Sequence, residues 1–124
     1  MAENIFQRKN RVANYFQAAA IFGINPDTDS YERQKFLSEE WQVFRTQGAA
    51  IGVFLDGEAL HVRGFTGSNA ASYVPELIAM AKKANKPLQF ATNNPAILKV
   101  LDKQHIAYTK IAINGADSVY RIDE

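Results

Sequence analysis

The chain has 124 residues, 14 basic against 13 acidic side chains for a net charge of +1, and no cysteine. That length suits one domain and is short for two cores. The missing cysteines exclude disulfide scaffolding, thiolate metal sites and thiol nucleophiles, and the balanced charge provides no global field to draw in a polyanion. With 47% apolar and 22% charged residues the composition is that of a globular chain rather than a disordered one.

Met1-Ala2-Glu3-Asn4 has no secretory character, and the longest apolar runs fall far below the roughly 20 residues that span a bilayer. The expectation is cytoplasmic residence with no membrane partner. Ile5, Val12, Phe16 and Ala19 recur at near-helical spacing and predict a helix over 4–22, ended by Gly23 and Pro26. A second helix is expected to open at Asp29, with Glu32 in capping-box position, and to carry Leu37, Trp41 and Phe44 along one stripe until Gly48 closes it.

Apolar runs over 49–55 and 58–63 then flank Asp56-Gly57, a strong hairpin signal. Small side chains fill 64–71, and a third helix carries Leu77, Ile78, Ala81 and Ala84. Ser72 as its N-cap places Pro75 in the first turn, where the missing N–H costs nothing. A strand over 88–91 follows, then Asn94-Pro95 as N-cap and first helical residue of a short helix with Ile97, Leu98 and Leu101 inward. Residues 106–113 and 118–122 around Asn114-Gly115 make a second hairpin.

The predicted order is α-α-β-β-α-β-α-β-β. It defines one α/β (α+β) domain over 1–124, a helical pair over 4–47 packed on a mixed sheet of about five strands over 49–122.

Chemistry-bearing patterns are sparse. The loop Gly64-Phe65-Thr66-Gly67-Ser68-Asn69 lies between a strand and a helix start, where small residues let backbone N–H groups approach an anion. It is neither a Walker nor a Gly-x-Gly-x-x-Gly pattern, and a flexible connector fits equally well. His61 and His105 have no third ligand at metal-site spacing, so no metal is expected. Alternation places His61 and Arg63 on one strand face, as if to line a polar groove.

Glu39-Glu40 and Asp123-Glu124 make no acid/base dyad, and no serine sits in a Gly-x-Ser-x-Gly elbow. Tyr15, Tyr31, Phe36 and Trp41 read as packing residues rather than a stacking platform. Arg8, Lys9 and Arg11 form the densest basic cluster, with Lys82, Lys83 and Lys86 a second. Each is a nucleic-acid-binding candidate weighed against an ordinary solvated helix face.

The order of elements resembles the GNAT-type N-acetyltransferase fold over 4–122, with the first family strand and one central strand missing or merged. Residues 61–84 resemble its central strand, pyrophosphate-binding loop and following helix, and 91–106 its later strand–helix unit. The resemblance implies an acyl-CoA ligand, acetyl-CoA in the first instance, held around Arg63, Gly64, Gly67, Ser68, Asn69 and Asn94. The family loop spaces its first Gly three residues after an Arg or Gln, and here Arg63 and Gly67 are one residue further apart. At the family's proton-donating tyrosine stands Leu101, which has no proton to give, so Tyr108 becomes the displaced catalytic candidate.

These departures imply a small GNAT-like binding module, weak or inactive as an enzyme, that requires no cofactor. Such a module acts through a protein partner, a nucleotide-like ligand or a second copy joined at a sheet edge. The alternatives are an acyl-CoA-dependent N-acetyltransferase and a nucleic-acid-associated accessory protein of a phage or conjugative element. The last is suggested also by a similarity of residues 53–111, about half the chain, to accessory domains of conjugative relaxases.

Overall fold

The structure, a computed structural model, describes residues 5–25, 30–92 and 95–123. After a 3-10 turn at Arg8–Asn10 come α1 (Tyr15–Phe22), α2 (Ser30–Leu37), β1 (Trp41–Thr46), β2 (Ala49–Leu55) and β3 (Leu60–Thr66). A second 3-10 turn, Ala70–Tyr73, leads into α3 (Val74–Lys83), then β4 (Leu88–Thr92), α4 (Pro95–Lys103), β5 (Thr109–Asn114) and β6 (Asp117–Ile122). The six strands form one open mixed sheet in the order β1-β2-β3-β4-β6-β5. Every neighbouring pair is antiparallel except β3–β4. Among the described residues this is a mixed α+β domain with four α-helices.

The two expected hairpins form, as does α3 with Pro75 in its first turn. Three expectations need correction. The first helix starts only at Tyr15, because the asparagines before it offer the backbone local alternatives. Asn10 Nδ2 donates to Ile5 O at 3.1 Å, and Asn14 Oδ1 accepts from the Gln17 N–H at 3.2 Å as N-cap. Residues 11–12 run extended along the outer edge of β1, with a bridge Arg11↔Phe44 and the Val12 N–H donating to Val43 O at 2.8 Å.

The second helix ends at Leu37, and Trp41–Thr46 is a strand rather than the helix's last turns, so the sheet has six strands and begins at residue 41. Ser38 turns its hydroxyl onto Lys35 O at 3.2 Å and Glu39 takes a left-handed φ of 65°, which stops the helix. Gly48, at φ 90°, then lets β1 fold back onto β2. The Leu37, Trp41 and Phe44 stripe is therefore not one face. Trp41 and Val43 enter one apolar cluster and Phe44 the other, as alternation along a strand requires.

The third correction is Ser72, which is not an N-cap: its hydroxyl donates to Asn69 O at 2.7 Å, inside the 3-10 turn. The expected caps Asp29 and Asn94 lie outside the described residues.

The sheet buries both faces. One cluster sets Phe44, Ile51, Leu60, Phe90 and Ile122 against Leu77 of α3 and Leu101 of α4. The other sets Trp41, Val43 and Phe54 against Tyr15, Ala18 and Ala19 of α1 and Phe36 of α2. The second cluster is anchored by Trp41, fully buried, whose indole N–H donates to Arg63 O at 2.9 Å across the middle strand β2.

Gly52 makes that reach possible. It sits where the β2–β3 register shifts, and a Cβ there would lie 2.3 Å from Arg63 O and 2.7 Å from Trp41 Nε1. Gly52→Ala is expected to destabilise the chain by about 1–3 kcal/mol, the range for overpacking a filled interior. Urea unfolding followed by Trp fluorescence measures this directly.

Candidate functional site

The parallel pair β3–β4 is joined over three positions only, Leu60↔Leu88, His61↔Gln89 and Val62↔Phe90. Beyond Val62, β3 stays on β2 (Ile51↔Phe65, Ala50↔Thr66), while β4 continues on β6 (Ala91↔Val119, Thr92↔Ser118). The C-terminal ends of two adjacent parallel strands thus separate in mid-sheet, the position where open α/β sheets receive ligands. A cleft of about 500 Å³ opens there.

Two glycines cause the split. Gly64 (φ 116°) bends β3 over the Phe22 ring of α1, whose nearest carbon would be 2.7 Å from a Cβ. Gly67 (φ 110°) passes so close to the β1–β2 turn that a Cβ would meet Gly48 O at 2.3 Å. Only glycine satisfies both constraints.

Val62, Phe65, Phe90 and Ile97 make an apolar floor, and Gly64, Gly67, Ser68, Ala71 and Thr92 a small, polar rim. No described lining residue carries an ionisable side chain. The loop spends part of its amides on its own closure: Asn69 N–H donates to Gly48 O at 2.9 Å, Ala70 N–H to Gly67 O at 3.3 Å and Ser72 N–H to Asn69 O at 3.3 Å. Gly67, Ser68 and Ala71 border the cleft.

Of the residues singled out in the sequence, Gly64, Gly67 and Ser68 are brought together here. Asn69 is not among the lining residues; its Oδ1 accepts from the Ser72 hydroxyl at 3.1 Å. Arg63 turns away, its guanidinium 5.7 Å from the Phe54 ring centre and its carbonyl held by Trp41. Asn94 lies outside the described residues.

Tyr108 does not line the cleft either. Its hydroxyl donates to Asp102 Oδ1 at 3.1 Å and its ring packs edge-on against Tyr120. Asp102 lies five residues past the cleft's Ile97, about 7.5 Å further along α4. Burial, together with the Asp102 hydrogen bond and charge, pushes the Tyr108 phenol above its ordinary value. Leu101, which the resemblance sets at the tyrosine position, is sealed in the core.

The basic residues fall into separate groups rather than one patch. Arg8 and Lys9 lie in the 3-10 turn, and Arg11 Nη1 is 3.2 Å from Glu39 Oε1. Lys82 and Lys83 are exposed at the end of α3, and Lys86 Nζ donates to Gly57 O at 2.8 Å. Sequence reasoning passed over Arg45, which shares a hollow with Lys9 and Arg11, because that position was assigned to a helix.

His61 and Arg63 share one face of β3, as alternation predicts, both lying against the Phe54 ring. His61 Nε2 is 2.8 Å from Asp56 Oδ2, and Asp56 Oδ1 accepts from the N–H groups of Glu58 and Ala59 at 2.8 and 2.9 Å. The described residues hold no group of three potential metal ligands, and no helix among them is long and apolar enough to cross a membrane.

What the fold and cleft define is a class of architecture: among the described residues, a mixed α+β domain whose open six-stranded sheet splits at its one parallel pair. Comparison with protein-family models, curated proteins and solved structures finds no match.

The Asp56 turn gives a pH-dependent expectation. Burial pushes its carboxyl up, but the Ala59 and Glu58 N–H donors and His61 outweigh this and hold it below the usual value. A carboxyl lowered by folding stabilises fully above its unfolded value of about 4, and that contribution is lost as pH falls through the native value. Asp56→Asn should therefore be less stable than the parent at neutral pH. The two should converge as pH is lowered below about 4, measured by urea unfolding across that range.

Proposed function

We propose that the chain is a binding module on a GNAT-like scaffold, and that the cleft between β3 and β4 takes an acyl-CoA or similarly built nucleotide-like ligand without turning it over. One observation carries this reading: among the described residues the only parallel strand pair parts after three positions, directly before a glycine-bent loop that enters a helix. Such a gap accepts the extended part of a ligand between strands, while phosphates meet backbone N–H groups near a helix start. The order of elements lends further support, since β1 supplies a strand that the helix-based reading of residues 41–46 left out.

The chemistry of the lining favours binding over catalysis. General acid–base catalysis needs a titratable group within hydrogen-bond reach of the reacting atom. The cleft's described lining has none, Leu101 is buried in the core, and Tyr108 is tied to Asp102 away from the floor. A nucleic-acid role through Arg8, Lys9 and Arg11 has less behind it, because Arg11 is paired with Glu39 and the other two flank different hollows.

The test is acetyl-CoA titration by thermal shift and calorimetry. At a ligand concentration about a hundredfold above the dissociation constant, binding stabilises by about 2.7 kcal/mol. Ser68→Glu, which puts an anion on the exposed rim, should weaken binding by roughly tenfold or more through like-charge repulsion. No thiol release should occur with acetyl-CoA and a panel of amines. Absence of binding at millimolar acetyl-CoA defeats the reading, and thiol release abolished by Ser68→Glu replaces it with a working acyltransferase.

A further inference from the structure

We infer that the hollow between α1 and the outer edge of β1 is a docking groove for an acidic peptide segment of a partner protein. The groove encloses about 550 Å³. Lys9, Arg11 and Arg45 line it from the N-terminal segment and β1, Gln17 and Ile21 line it from α1, and no carboxylate is among its described lining residues.

Two of these cations have capacity to spare. Arg11 engages Glu39 through Nη1 alone, and its Nε is buried without a hydrogen-bond partner. Arg45 is exposed, and its guanidinium makes no hydrogen bond or ion pair with any described residue. Arginine forks match carboxylates two bonds at a time, so two forks lining one hollow select closely spaced carboxylates.

The N-terminal segment covers the outer edge of β1 here: Arg11 bridges Phe44, the Val12 N–H donates to Val43 O, and the antiparallel register sets Asn10 opposite Arg45. Recognition therefore rests on the side chains of the hollow, not on a free strand edge.

The apolar wall of Val12, Ala20 and Ile21 receives aliphatic side chains between the acidic ones. A single-stranded nucleic acid fits less well. No aromatic ring is among its described lining residues to stack a base, and the net charge of +1 gives no field to hold a phosphate backbone. The inference stands apart from the cleft reading, since the two sites share no lining residue.

The experiment is a 15N–1H NMR titration of the full chain with three probes: an end-blocked peptide of alternating Glu and Leu, an oligothymidylate, and inorganic pyrophosphate. The peptide is expected to shift the amides of Lys9–Ala13, Gln17 and Arg45, with affinity falling as salt rises. Paired charge reversal, Lys9→Glu with Arg45→Glu, should weaken it by about tenfold or more while the rest of the spectrum is unchanged. Should that variant fold poorly, Lys9→Gln with Arg45→Gln gives the same comparison at lower cost to the fold.

Absence of shifts at these amides with millimolar peptide, or shifts indifferent to both variants, overturns the inference. Tighter binding of oligothymidylate overturns it in favour of a nucleic-acid site, and pyrophosphate matching the peptide reduces it to a simple anion site. Acetyl-CoA, titrated separately, reports on the cleft alone, so failure at one site is distinguishable from failure at the other.

Discussion

The bond from the Trp41 indole N–H to the Arg63 carbonyl, passing over Gly52, is the constraint on which the arrangement depends. It joins the first strand to the third across the second. In doing so it holds the backbone of β3 at the residue before Gly64, where the strand bends away from β4. A buried indole N–H without a partner is costly, and a buried carbonyl without a donor is little better, so the two groups fix each other. The same tryptophan fills the cluster under α1 and α2, with the rings of Phe22 and Phe36 about it. The packing of the helices and the starting point of the split are therefore set by one side chain.

The cleft follows from that fixed point by simple geometry. Left of the parting, β3 keeps its ladder with β2, and right of it β4 keeps its ladder with β6. Backbone groups that two adjacent strands would otherwise exchange are left at the gap, above an apolar floor that Ile97 of α4 helps to form. An opening of this kind favours a ligand that brings its own hydrogen-bonding groups to a strand-like slot. It offers little to one that needs charged side chains, since the described lining has none.

Much of this was legible in the letters, for reasons that differ along the chain. Asp56-Gly57 and the Asn114-Gly115 pair mark turns by local backbone preference, and both hairpins formed. Gly64 and Gly67 signalled a bend because no other residue tolerates their conformations and contacts. Residues 41–46 were misread because Leu37, Trp41 and Phe44 fall at spacings that a helix and a strand both permit. The deciding information lay in the polar triplet Ser38-Glu39-Glu40, whose hydroxyl and left-handed backbone end α2.

Arg63, Asn69 and Tyr108 were plausible cleft residues by position along the chain. Where they point is set by Phe54, Ser72 and Asp102, contacts to residues on other turns and strands that no spacing rule reveals.

The placement of Phe22 has a last consequence. Its ring lies where a side chain at residue 64 would be, and it is the final residue of α1. The bend of β3 and the last turn of α1 thus compete for one volume, so a side chain at 64 and the aromatic ring at 22 exclude each other.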